Sequence, residues 1–373
     1  MTAERKQDRD TASSAGTMAA WAAVLAALLP LAAGPAAAAD PYYKGKEIEI
    51  VVPFAPGGAA EVGARFLQPF FEKHIAGNPR VTVNTRPGGA SILGANWFAQ
   101  NAKPDGTTIL HTTSSTAHPY MLEYPQVKYD LTKMRVGYSL SFGPVMYISP
   151  KMGVKAAADL KNAKGLIYGG IGAAASDLPT LLSFEVLQLD VKAVLGFTGR
   201  GPIRLAFDRG ETNFDFQFTP VYLTQVRPMV EAGKAIPLMS GGALDAKGAM
   251  TQRDPVVPDL PSVFEVHKAM YGKEPSGLAW QAYNKSAALT FPFGLTGYMH
   301  PGTPQAALDA LNAAAASMNA DPEFIEKGKK VTGGYKLIRG KDAEPPIRAA
   351  LARGGPVNEY IKKLLVEKYK VKL

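Results

Sequence analysis

The sequence predicts an α/β protein of two lobes, each built on an open sheet of parallel type. Its 373 residues are too many for one ordinary core and suit two domains. Apolar strand-like runs alternate with helically spaced segments in two separate series. The chain therefore builds part of one lobe, then a second lobe, and returns to the first. We expect the first lobe to comprise residues 40–140 and 240–373, and the second lobe residues 141–239.

The first series consists of three strands joined by two helical crossovers, a pattern typical of a parallel sheet. Glu47–Val52 alternates polar and apolar residues and then becomes continuously apolar, as a strand entering a core does. A turn at 53–58 follows it, and apolar residues then recur at helical spacing between Glu61 and His74. The remaining elements are strands at 81–83 and 107–111 and a helix from Ile92 to Phe98.

The second series is separated from the first by two connecting strands, Val136–Leu140 and Ile236–Met239, which we expect to form a hinge. Beyond Met239 the sequence predicts a Pro-rich, irregular stretch before helices at 306–318 and 358–369. Open sheets bind ligands beyond the carboxyl ends of their strands, so the cleft between the lobes is the predicted site. The elements of this series are strands at 145–148, 166–168, 192–195 and 214–218, and helical segments near 156–163, 177–189, 202–208 and 223–232.

The N-terminus has the pattern of a secretory signal. Arg5, Lys6 and Arg9 precede a short apolar run at 18–33, and small residues lead to an A-x-A pattern ending at Ala39. We therefore expect residues 1–39 to be a cleavable signal peptide and the mature protein to be periplasmic. The alternative is an uncleaved N-terminal anchor. The chain has no cysteine, so neither a disulfide nor a lipid-attachment cysteine is available.

A formal net charge of +9 favours encounter with anionic solutes or anionic membrane surfaces. Export excludes nucleic acid as a partner, and the basic residues are scattered except in the tail from Lys362 to Lys372. That tail is typical of a solvated amphipathic helix end, and a binding patch is the alternative.

Motifs of common enzyme classes are missing from the sequence. It contains no H-E-x-x-H, no G-x-S-x-G and no phosphate-binding G-x-x-x-x-G-K-[ST]. We therefore expect no metal, no cofactor and no catalytic residue. His111 and His118 flank a Ser/Thr run, so an exported α/β hydrolase using Ser114 and His118 is the enzymatic alternative.

Several turn motifs, in a shared order, carry a resemblance to a known family. Together they span nearly the whole predicted mature chain, and that shared order makes the match specific. The chain resembles the substrate-binding proteins of tripartite tricarboxylate transporters, called Bug proteins. The matching stretches are 50–58 (IVVPFAPGG), 84–90 (NTRPGGA), 104–107 (PDGT), 232–234 (AGK), 258–263 (PDLPSV), 301–304 (PGTP) and 320–323 (ADPE).

The resemblance implies a two-lobe periplasmic-binding-protein fold of the Venus-flytrap kind, type II-like, with a hinge. It implies a monomer that is not an enzyme, captures a small carboxylate and delivers it to the subunits of a membrane transporter. A ligand sensor signalling to a membrane kinase is the alternative role. In such a site a carboxylate is held by backbone N–H groups at helix starts, where the helix dipole favours an anion.

Residues are carried over from the resemblance to five loops of this chain. Where the family has Ser and Asn, the turn at 172–177 has mostly Gly and Ala. Asp177 is either an N-cap or a ligand contact, and Arg200 either grips a second carboxylate or is a solvated surface arginine. The predicted ligand-binding residues are Phe54, Ala55, Gly57, Gly58, Thr112, Thr113, Ser114, Gly172, Ala173, Ala174, Ala175, Ser176, Asp177, Phe197, Thr198, Arg200, Thr219 and Pro220.

Overall fold

The computed structural model describes residues 40–372, and the predicted signal peptide at 1–39 lies outside that range. No helix within the described range combines the length and the apolar character that a membrane span requires. The strands are β1 (Glu47–Val52), β2 (Arg80–Thr85), β3 (Thr108–Thr112), β4 (Arg135–Leu140), β5 (Pro144–Ile148), β6 (Leu166–Gly170), β7 (Val191–Leu195), β8 (Phe214–Phe218), β9 (Ile236–Ser240), β10 (Leu295–Met299) and β11 (Leu337–Arg339).

Helices surround these strands. The segment after β8 is helical throughout, with a π-helical turn at Tyr222–Val226 between α6 and α7. The α-helices are α1 (Ala59–His74), α2 (Ile92–Asn101), α3 (Ser114–Met121), α4 (Leu178–Val186), α5 (Arg200–Asp208), α6 (Thr219–Val221), α7 (Arg227–Glu231), α8 (Val263–Tyr271), α9 (Gly277–Thr290), α10 (Gln305–Met318), α11 (Pro322–Val331), α12 (Gly340–Ala350) and α13 (Gly355–Glu367). Short 3₁₀ helices occur at Gly89–Ser91, Pro150–Met152 and Ala157–Asn162.

Two sheets form the framework, and both are mixed rather than purely parallel. The first has the order β11-β4-β10-β3-β1-β2, in which β1 is parallel to β2 and β3 while β10 runs antiparallel to β3 and β4. The second has the order β7-β6-β8-β5-β9, in which β6 is parallel to β7 and β8 while β5 is antiparallel to β8 and β9. The predicted two-lobe α/β fold is confirmed, with antiparallel strands added to each sheet.

The predicted connecting strands are β4 and β9, and each is paired within a sheet. β4 lies between β10 and β11 of the first sheet, and β9 pairs with β5 of the second. The chain passes from the first sheet to the second at 141–143 and leaves the second after Ser240. The connections therefore follow these strands rather than coincide with them.

The region after Met239 is more regular than the sequence predicted. It contains α8, α9, β10, α11, β11 and α12 besides the two predicted helices. α9 was missed because its buried face includes Ser286 and Thr290, which blur the apolar stripe that marks a helix. β10 was missed because Gly297 interrupts a short run, yet a Cβ at that position would lie 2.6 Å from the ring of Tyr138.

A continuous apolar core joins both sheets. Buried residues of β1 and β3 belong to the same cluster as those of β6 and α4. α4 packs against α9, so the helices close one side of the space between the sheets. This packing brings the loops at the ends of the two sheets to face each other.

Candidate functional site

Four loops converge where the two sheets meet, because parallel neighbours end at the same sheet edge. β1 and β3 are adjacent and parallel, so residues 53–58 and 112–115 lie side by side; we call them the first wall. β6 and β8 are also adjacent and parallel, so residues 171–177 and 219–220 lie together and form the second wall. The sequence placed its candidate residues mainly on these four loops.

Two direct contacts join the walls on the α3 side. The backbone N–H of Ser176 donates a hydrogen bond to Ser115 Oγ across 3.1 Å. His118 Nδ1 lies 2.9 Å from the carbonyl oxygen of Ala175 and therefore donates to it. All four residues are buried. The α3 segment and the turn of the second wall are thus tied together at this point.

A cavity of about 60 Å³ lies between the walls at their other end. It is lined by Gly57 and Gly58 of the first wall and by Pro220 of the second, so predicted residues from both sheets meet here. The other lining side chains are almost all apolar, among them Val62, Leu140, Phe142, Val221 and Leu295. Ligand pockets usually measure about 300–1,000 Å³, so the walls must separate before a whole ligand can enter.

Asp177 holds the turn of the second wall in shape. Its Oδ2 accepts hydrogen bonds from the backbone N–H groups of Ile171 (3.0 Å) and Gly172 (3.3 Å). Its Oδ1 accepts from Tyr168 Oη at 2.5 Å and from Arg200 Nη1 at 2.8 Å. Asp177 stands at the N-cap position of α4, but its side chain makes no capping bond to that helix. The N-cap alternative is thus right in position, but the carboxylate is used inside the protein and does not cap the helix.

Three main-chain donors of the same turn have no partner. Within residues 40–372 the backbone N–H groups of Ala173, Ala174 and Asp177 donate no hydrogen bond, whereas that of Ala175 donates to Gly172 O at 3.0 Å. Ala173 and Ala174 are 4% and 8% exposed. Buried N–H groups are seldom left unpaired, and clustered ahead of a helix they favour an anion.

Ser114 supplies a further unpaired donor on the first wall. It is 2% exposed, and its Oγ has no hydrogen-bond partner in the described part of the chain. Its neighbours are satisfied: Thr112 Oγ1 lies 2.5 Å from Thr116 Oγ1, and Thr113 Oγ1 accepts from Ser115 N at 3.2 Å. An unpaired buried hydroxyl costs about 1–3 kcal/mol, which a ligand acceptor would recover.

Arg200 is enclosed by the second lobe's own acceptors. It pairs with Asp177 at 2.8 Å and with Asp215, and it also donates to Tyr168 Oη at 3.2 Å and to the carbonyl of Phe216. Its guanidinium carbon lies 3.8 Å from the centre of the Phe216 ring. The side chain is 11% exposed, so the expected solvated surface arginine is wrong. The partners that occupy this guanidinium are carboxylates of the chain itself.

Asp215 completes this group of charges and was missed by the sequence analysis. It is fully buried, and its carboxylate also accepts from Tyr147 Oη, Gln217 Nε2 and Phe216 N. Burial raises the pKa of Asp215, against the opposing pull of the Arg200 guanidinium. The pairing depends on β8 lying beside β6, which the residue pattern alone does not reveal.

The remaining predicted residues lie at different depths around the cleft. Thr219 is buried at the end of β8, and its N–H donates to Gly143 O at 2.8 Å. Phe54 and Phe197 are partly buried, whereas Ala55 and Thr198 are exposed. None of these five lines the cavity.

The Ser114–His118 pair predicted by the hydrolase alternative does not form. His118 Nδ1 donates to Ala175 O, and Nε2 accepts from Ser286 Oγ at 3.0 Å. Burial lowers the pKa of His118 to about 4, so the ring is neutral at pH 7. No group of three or more metal-ligating side chains occurs among residues 40–372.

A second acidic group lies where the chain passes between the sheets. Tyr335 Oη donates to both oxygens of Asp254, at 2.5 and 2.6 Å, and accepts from Gly143 N at 3.4 Å. It also lies 3.5 Å from Thr219 Oγ1. Burial raises the pKa of Asp254. The Thr219 end of the second wall therefore borders a buried carboxyl group.

Relatives identify the group of proteins that this chain is similar to. It is 24% identical over 312 residues to a UPF0065 protein of Bordetella pertussis, covering 81% of this chain and 85% of that protein. It is 27% identical over 195 residues to Protein BugT of the same organism, covering 50% of this chain and 58% of BugT. No family model matches the chain.

Solved structures share the fold. The periplasmic binding protein BugD aligns with a TM-score of 0.60 and 21% identity over 88% of this chain and 99% of BugD. R. palustris Rpa4515 with adipate aligns with a TM-score of 0.64 and 20% identity over 86% of this chain and 96% of Rpa4515. The fold is that of a two-lobed periplasmic binding protein. The resemblance to the Bug-type substrate-binding proteins is likewise confirmed.

Proposed function

We propose that this protein is a periplasmic solute-binding protein that captures a small organic carboxylate between its first and second walls. The unpaired backbone N–H groups of Ala173, Ala174 and Asp177 carry this proposal. They form a compact set of donors at a buried turn, as binding of a carboxylate requires. The hydroxyl of Ser114, next to the residue that bonds Ser176, adds a fourth donor.

The energy of such a site is adequate for a transport protein. Hydrogen bonds to a charged group are worth about 1.5–3 kcal/mol each. Three or four of them can therefore approach the roughly −8 kcal/mol of micromolar binding. The main chain supplies most of them, so the Ala residues at 173–175 leave the donors intact.

Role, location and partners follow from the same proposal. The bound adipate of Rpa4515 supports a carboxylate, and the resemblance of the turn motifs supports delivery to subunits of a tripartite tricarboxylate-type membrane transporter. The predicted signal at 1–39 supports a periplasmic location. We retain a first lobe formed by residues 40–140 together with 240–373, and a second lobe formed by residues 141–239. This division follows the strands of the two sheets. The protein acts by binding rather than by catalysis.

Native mass spectrometry of freshly purified mature protein tests this function. We expect an unaltered carboxylate bound in equal number to the protein, and isothermal titration should reproduce its binding. Ala174→Leu should reduce affinity at least a hundredfold, because the added side chain blocks the approach to the N–H groups of a turn only 8% exposed. Ala156→Leu, the same change at an exposed position of the second lobe outside both walls, is the control and should bind normally.

Two results contradict the proposal. Full-strength binding by Ala174→Leu would show that the ligand does not use this turn. Recovery of a chemically converted product, with repeated turnover, would establish an enzyme instead.

A further inference from the structure

We propose that the ligand is a monocarboxylate with an apolar body. Arg200, the cation beside the second wall, is paired with Asp177 and Asp215 and is therefore not available to bind a second carboxylate of the ligand. This inference rests on the proposed function and narrows its ligand class. Its basis is the distribution of charge around the four loops. Hydrogen-bond donors are available there for one anionic group of a ligand, but no free cation is available for a second anionic group.

The positive charge of the Arg200 guanidinium is already balanced by carboxylates of the protein. Two buried carboxylates, Asp177 and Asp215, share this one cation. The Tyr168 hydroxyl accepts from Nη1 and the Phe216 carbonyl from Nη2, and the Phe216 ring lies against the guanidinium. Its buried Nε–H has no partner among the described residues, but both of its charge partners are carboxylates of the chain. To reach a ligand, Arg200 would have to leave at least one carboxylate buried without its cation, which is strongly unfavourable.

The cavity offers no replacement for Arg200. None of the described residues that line it carries a charge, and those that follow each wall, such as Val62 and Val221, present apolar groups. At the Thr219 end the Tyr335 hydroxyl lies 3.5 Å from Thr219 Oγ1 and donates in turn to the carboxyl group of Asp254. A second carboxylate placed here would lose its hydration without gaining a cation. An apolar chain would lie against apolar side chains and is stabilised by burial.

Matched pairs of acids test this inference by isothermal titration of the mature protein. The pairs are butyrate with succinate, hexanoate with adipate, and octanoate with suberate. We expect the monocarboxylate to bind at least tenfold more tightly than its partner in every pair that binds. A dicarboxylate that binds as tightly as its partner, or more tightly, overturns the inference and leaves the proposed function standing. Failure of all six acids, with a co-purified ligand that is not a carboxylate, overturns both.

Asp215→Asn tests the role assigned to Arg200. The amide keeps the shape of the carboxylate but removes one of the two negative charges held by the guanidinium, so the relative affinity for adipate over hexanoate should rise severalfold. Asp208→Asn removes the same charge from the same lobe at a side chain 46% exposed and should leave the ratio unchanged. Equal ratios in Asp215→Asn and the wild type count against the assignment. If Asp215→Asn does not fold by circular dichroism, the wild-type pairs still decide the ligand class.

Discussion

The two walls of the cleft are held in place by different means. In the first wall, Gly57 and Gly58 are exposed. The ion pair beside them joins Glu61 to Arg65, and the Arg65 side chain is 56% exposed to solvent. In the second wall, the turn at 172–177 is anchored by the fully buried Asp177. The 53–58 loop of the first wall is a glycine turn at the surface, whereas the turn of the second wall is fixed from within by buried charge.

This difference indicates that the two walls contribute to ligand binding in different ways. A turn held by buried ion pairs keeps its donors in position before the ligand arrives, which reduces the entropy lost on binding. A glycine turn at the surface adapts to the ligand afterwards. Recognition of the carboxylate therefore belongs mainly to the second wall, with Ser114 of the first wall as a further donor, and the glycine turn of the first wall accommodates the ligand body.

Removing the anchor of the second wall should have the largest effect. Asp177→Ala leaves Arg200 short of a carboxylate and frees the N–H groups of Ile171 and Gly172, so we expect a loss of about 3–5 kcal/mol in the free energy of unfolding and no ligand binding. Glu61→Ala, the matched change beside the first wall, should cost about 1 kcal/mol or less, because Arg65 is exposed. Urea unfolding of both variants measures this, and equal losses would refute the contrast between the walls.

Acid should weaken the contact between the walls. Folded His118 takes up a proton only near pH 4, whereas the unfolded chain does so near 6.5, so the unfolded state binds more protons between these values. Stability is then full above pH 6.5 and falls as the pH drops, by up to roughly 3 kcal/mol at pH 4 from this residue. The buried His111, whose pKa burial lowers to about 3, adds to the loss in the same direction.

Urea midpoints recorded between pH 7 and pH 4 test this dependence. His118→Asn, which keeps a donor near the Nδ1 position and cannot be protonated, should flatten the curve. An unchanged slope in that variant would assign the acid sensitivity to other groups.

The smallest effect is expected at Ser114. Ser114→Ala removes a buried hydroxyl that has no partner, so stability should stay within about 1 kcal/mol of the wild type while ligand affinity falls about tenfold. Ser115→Ala removes the acceptor of Ser176 N–H and should lower stability by about 1 kcal/mol. Titration and thermal unfolding of the pair distinguish a ligand contact from a structural one. A Ser114→Ala protein that binds normally would remove the first wall from carboxylate recognition.

Local sequence signals predicted the framework of the site but not its charges. The apolar run of β1 and the turn after it indicated a strand end followed by a glycine turn, and the structure has both. β10 was not predicted, because a short buried run containing Gly297 lacks periodicity. The burial of Arg200 was not predicted either. Its partners Asp177 and Asp215 are 23 and 15 residues away in the chain and contact it only because β6 pairs with β8.

The hydrogen bond between Ser115 and Ser176 has a thermodynamic consequence for any ligand. Ser115 is tethered to the same molecule, so its hydroxyl is present at the Ser176 N–H at a high effective concentration. It acts as an intramolecular competitor for that donor, and a carboxylate held by the N–H groups of Ala173, Ala174 and Asp177 does not have to displace it. The internal bond thus keeps Ser176 out of the set of free donors and limits the number of main-chain bonds that a ligand can make at this turn.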